Sequence, residues 1–145
     1  MIDRYTLSKM GGVWSDQRKM EIMLKIELLA CEQMSKLGLI PKAAMEKIRK
    51  NAKFDLEECR KIEEKTKHDV VAFIVNVGQN LGPEARYLHL GLTSSDLLDT
   101  SLSVQCVEAS DILINDLKKL LNVLKLKAFD RRNHLSVGYR VALAV

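Results

Sequence analysis

Lys67-His68-Asp69 sets an imidazole between an ammonium group and a carboxylate. The triplet opens the apolar stretch HDVVAFIVNVGQNLG, whose length and whose Gly78 and Gly82 ending favour a buried helix over a β-branched strand. At a helix start the unpaired backbone N–H groups attract anions, so His68 there could donate hydrogen bonds to an anionic substrate or move a proton. Taken alone, Asp69 reads as a first-turn acid and His68 as a surface cap. His89, within Tyr87-Leu88-His89-Leu90, reads by itself as a core histidine with a satisfied ring. Gly91-Leu92-Thr93-Ser94-Ser95-Asp96 puts three hydroxyls before a long helix, either a carboxylate or phosphate cradle or a helix cap with hydroxyls to spare. Arg4 and Tyr5 could close on a phosphate through a guanidinium fork and a phenol.

The elements that must hold these residues are helical. After an irregular start containing Gly11 and Gly12, Ser15 and Asp16 offer a cap and a first-turn acid. Met20, Met23, Glu27, Ala30, Met34 and Leu37 then recur at helical spacing until Gly38. Two amphipathic surface helices follow, over about Pro41 to Asn51 and Leu56 to Lys65. PEARYLHLGLTSSD keeps no period and reads as a loop running into a cap. From Ser95 to about Arg132 there is neither Gly nor Pro, which allows a rod on the order of 55 Å. Leu98, Leu102, Cys106, Ala109, Leu113, Leu117, Leu120 and Leu124 form one stripe along it, most of which finds no partner within this chain. The fold class is therefore all-α, with a small helical domain at 1–93, a long helix at 94–133 that needs further helices to complete a bundle, and a tail at 134–145.

Composition bounds the function. The 145 residues are 47% hydrophobic and 29% charged, within the range of globular domains, and the formal net charge is +4, spread along the chain. That excess does not establish a nucleic-acid partner, and none is expected. Three cysteines at wide spacings fit neither a disulfide framework nor a zinc site, which suits a reducing, cytoplasmic setting. No apolar run approaches the roughly 18 residues of a membrane span, so no membrane partner is expected.

MIDRY at the start, KTKHDVVAF in the middle and YLHLGLTSSDLLDTSLS before the rod together resemble the N-terminal region of the adenylosuccinate lyases, in the fumarase and aspartase superfamily. The resemblance covers about residues 1–133. It implies cofactor-free and metal-free β-elimination of fumarate from adenylosuccinate, giving AMP, and from the succinyl-carboxamide ribotide of purine biosynthesis. It further implies a homotetramer whose long helices join in one bundle, so that this chain self-associates through its rod. On that likeness Arg4 and Tyr5 bind the phosphate of a purine nucleotide substrate. Lys67, His68 and Asp69 line the substrate site, Thr93 and Ser94 hold the succinyl carboxylates, and His89 assists in binding or proton relay.

The likeness fails at the tail. Gly138 aligns with the glycine of the family's Gly-Arg-Thr-His motif, but Tyr139, Arg140 and Val141 follow, so Val141 stands where the general acid is expected. His134 is out of register with that position. The serine that acts as base lies on a mobile loop much further along the family's sequence. The expectation is a truncated, divergent piece that is inactive alone. Two other readings are a carboxymuconate cycloisomerase-like superfamily member, against which Arg4-Tyr5 and Lys67-His68-Asp69 argue, and a non-catalytic helical assembly module.

Overall fold

The computed structural model describes residues 2–131, with the side chain of Asp3 left aside. The tail at 134–145, and with it His134, Gly138 and Val141, lies outside the described residues. Those described form six α-helices and no strand: α1 Ser8–Val13, α2 Asp16–Lys36, α3 Lys42–Asn51, α4 Leu56–Thr66, α5 Asp69–Gln79 and α6 Ser94–Arg131. Short 3-10 turns lie at Asp3–Tyr5 and Gly82–Tyr87.

Local chemistry sets these boundaries. Ser15 Oγ accepts from the Arg18 N–H at 3.1 Å and caps α2, whose first turn carries Asp16. The far end of α2 is a Schellman closure: Leu39 N donates to Met34 O at 3.0 Å and Gly38 N to Ser35 O at 3.1 Å. That closure requires the left-handed backbone of Gly38, at φ +79°. Asp55 caps α4 by accepting from Glu58 N at 2.8 Å.

Two expectations are corrected. The start is not irregular, since α1 forms across Gly11 and Gly12; a Cβ at Gly11 would lie 3.0 Å from Thr6 Cγ2, so glycine lets this helix close on the preceding turn. On α6 the buried residues are Leu97, Ser101, Gln105 and Ala109, whereas Leu102 and Cys106 of the leucine stripe are exposed. The buried face is thus set one residue earlier than the stripe over its first turns, and polar side chains serve it. Ser101 Oγ bonds Leu98 O at 2.9 Å, and Gln105 Nε2 donates to Val13 O at 2.7 Å, fastening α6 to the end of α1.

The chain divides into two compact units, residues 1–109 and residues from Ser110 onward. The first runs past residue 93 because those four residues of α6 are buried in it. Its core joins Met23 and Cys31 of α2, Met45 and Ile48 of α3, Cys59 of α4, Val70, Phe73 and Val77 of α5, and Leu97 of α6. Phe73 and Ile48 are fully buried, each burial stabilising by about 1.5–3 kcal/mol. In the second unit α6 continues to Arg131, and Leu113, Leu117, Leu120 and Leu124 are 53–63% exposed.

Candidate functional site

Helix α2 anchors two of the three segments that carry candidate residues. Lys19 Nζ meets Asp69 Oδ2 at 3.2 Å, tying α2 to the start of α5. Two turns on, the Glu27 carboxylate takes two polar groups of His89: Oε2 accepts from the backbone N–H at 2.8 Å, and Oε1 pairs with Nδ1 at 2.7 Å. Eight helical residues separate Lys19 from Glu27, so the two anchor points stand about 12 Å apart along α2.

At the start of α5, His68 Nδ1 accepts from the Val71 N–H at 3.4 Å, a helix cap, and Thr66 Oγ1 donates to the His68 carbonyl at 3.2 Å. Asp69 Oδ1 lies 3.8 Å from the same ring nitrogen. Nδ1 cannot accept from Val71 and donate to Asp69 at once, and the cap keeps the ring proton on Nε2. Burial raises the Asp69 carboxyl, but the Lys19 ammonium and the Val70 N–H outweigh it and hold this group below its ordinary value. Lys67 caps the end of α4 in the left-handed conformation, φ +54°.

At the start of α6 the reciprocal capping of Thr93 and Asp96 accounts for part of the hydroxyl run. Thr93 N and Oγ1 donate to Asp96 Oδ2 at 2.8 and 3.0 Å, and Asp96 N donates back to Thr93 Oγ1 at 3.4 Å. The Thr93 backbone and hydroxyl bonds lower the Asp96 carboxyl, and the nearby His89 adds to this. His89, Thr93 and Asp96 therefore form one neighbourhood. Arg4 stacks on the exposed ring of Tyr5 at 4.7 Å, both belonging to the third segment.

Among the described residues no hydrogen bond or ion pair joins the Arg4–Tyr5, Lys67–Asp69 and His89–Ser94 groups to one another. Of three clefts of about 610, 510 and 320 Å³, Lys67 is the one candidate residue that lines a wall. No three His, Cys, Asp or Glu side chains of the described residues gather to hold a metal. None of these three clefts gathers the candidate residues together.

The residue that sequence reasoning missed is Glu27. In the sequence it is one member of the α2 stripe, yet a carboxylate at a core position of such a stripe is itself a signal, because a buried charge requires a partner. Lys19 left no comparable mark.

Backbone strain falls at two of the candidate residues. Among the described residues, Lys67 and His89, at φ +58°, are the two non-glycine residues with left-handed backbone. Such a conformation costs about 1–2 kcal/mol at a residue with a Cβ.

A family model described as lyase matches residues 3–140, and the chain belongs to this lyase family. Within it, the chain is 44% identical over 138 residues to the adenylosuccinate lyase of Synechocystis sp., an alignment that takes in 95% of this chain and 32% of that protein. The crystal structure of fumarate lyase from Mesorhizobium sp. BNC1 shares the fold, with a TM-score of 0.63 and 23% identity over 69% of this chain and 24% of that one. No helix among the described residues is long and apolar enough to cross a membrane.

Proposed function

We propose that this chain supplies part of the substrate site of an adenylosuccinate lyase acting in cytoplasmic purine biosynthesis. The observation that carries the reading is the left-handed backbone at Lys67 and His89, two of the residues that the family resemblance assigns to the substrate. Strain of this kind persists where surrounding structure enforces it, and it gathers at ligand sites.

In the elimination a base removes a proton from the succinyl carbon, the C–N bond breaks toward the purine nitrogen, an acid protonates that nitrogen, and fumarate leaves. The Arg4 guanidinium and Tyr5 phenol hold the nucleotide phosphate. Lys67 and the outward N–H of His68 meet anionic oxygens, while Ser94 and the Thr93 region receive the succinyl carboxylates. Asp69 fixes the start of α5 through Lys19. His89 presents Nε2 as an acceptor and assists binding or proton relay. The resemblance puts Val141 where the family's general acid is expected, and on that reading these residues bind without turning substrate over. The exposed leucines of α6 associate with further copies, a homotetramer in the complete assembly.

The test is calorimetry of the purified chain with adenylosuccinate, AMP and succinate, together with an assay of fumarate release. A few solvated contacts leave roughly −4 kcal/mol, a millimolar Kd, with adenylosuccinate tighter than either fragment and no fumarate above background. Equal affinity for adenylosuccinate and succinate overturns the assignment of the site. Saturable fumarate production overturns the inactivity.

A further inference from the structure

We propose that Glu27 is a positioning residue for His89: its buried carboxylate fixes the imidazole with the proton on Nδ1, leaves Nε2 as the acceptor, and clamps the left-handed backbone that presents the ring. The positioning follows from geometry alone, whereas its use in elimination rests on the function proposed above.

Glu27 is 1% exposed, in the middle of α2 between the core residues Met23 and Cys31. A leucine there would satisfy packing, and a buried carboxylate carries a desolvation penalty that only a partner offsets. Both of its oxygens go to one residue 62 positions away, one to the backbone N–H and one to the ring. An ionised carboxylate only accepts, so in the proposed pair Nδ1 is the donor and Nε2 is the nitrogen left for a ligand. The backbone bond holds His89 at φ +58°, and the ring is 21% exposed. His68 has the opposite arrangement, with Nδ1 accepting from Val71. The fold thus offers one histidine as an outward donor and the other as an outward acceptor.

The experiment is two-bond ¹H–¹⁵N correlation on the full chain with labelled histidine, at a pH of about 8.5, above the ordinary histidine range. The wild type is expected to show His89 protonated on Nδ1 and His68 on Nε2, the latter serving as an internal reference. In Glu27→Gln the amide oxygen still accepts from the His89 N–H while the amide NH₂ donates to Nδ1, so His89 shifts to the Nε2-protonated form. Filling the core without orienting the ring would leave the tautomer unmoved, and that result overturns the proposal. The wild-type spectrum needs no variant to fold, and a His89 protonated on Nε2 there overturns it equally. If the tautomer is fixed but adenylosuccinate does not perturb the His89 nitrogens, the positioning stands and the lyase assignment of the site falls.

Discussion

Replacing His89 by alanine, glycine and asparagine separates the ring's contribution from the backbone's. Each substitution removes the ring that meets Glu27 Oε1 at 2.7 Å, while the backbone N–H can still reach Oε2. Losing a hydrogen bond to a buried carboxylate costs about 1.5–3 kcal/mol, which sets the expected destabilisation of His89→Ala. Glycine removes the left-handed penalty of about 1–2 kcal/mol but gains entropy in the unfolded chain, so His89→Gly is expected to be about 1 kcal/mol more stable than His89→Ala. Asparagine tolerates this backbone and falls between them. The assay is urea unfolding followed by circular dichroism. With slopes of about 1–3 kcal/mol/M, 1 kcal/mol moves the midpoint by roughly 0.3–1 M. If glycine is no better than alanine, the backbone at residue 89 is not strained. If all three lie within about 0.5 kcal/mol of the wild type, the Glu27 pairing does not hold this segment.

Glu108 is held below its ordinary value chiefly by its hydrogen bond from Arg18. Its contribution is therefore complete above the unfolded value of about 4.3 and lost as pH falls through the folded one, and Glu108→Gln should flatten acid unfolding over that window. Leu113→Glu with Leu120→Glu should shift the chain from self-association toward monomer in light scattering, since both are more than half exposed in the single chain. An unmutated chain that is a clean monomer at tens of micromolar would contradict the stripe's role. In that double variant one thiol of three should react quickly with a disulfide reagent: Cys106 is exposed, while burial pushes Cys31 and Cys59 up to about 11. Phe73→Ala, at a fully buried site against the Phe54 ring, should cost about 3–5 kcal/mol in the same unfolding assay.

The helices were legible where local chemistry announces itself. Ser15-Asp16 and Gly38 mark both ends of α2, and the apolar HDVVAF run holds α5 despite its β-branched residues. The buried face of α6 was not legible, because Ser101 and Gln105 serve it and periodicity reads only apolar side chains. The candidate residues were found from their types and from the family resemblance. Their support was hidden: the partners of Asp69 and His89 lie 50 and 62 residues away, and no local pattern encodes such pairings. The left-handed backbone of His89 was equally invisible, since glycine and asparagine are the usual signals for it.

The central claim is that the three candidate segments, two of them anchored on α2, form part of an adenylosuccinate site, and backbone amide NMR of the chain titrated with adenylosuccinate tests it most directly. The account predicts saturable shifts in the millimolar range confined to the Arg4–Tyr5, Lys67–Asp69 and His89–Ser94 segments, weakened at His89 by Glu27→Gln. Saturating shifts that cluster elsewhere, or none at these three segments at tens of millimolar ligand, would contradict it.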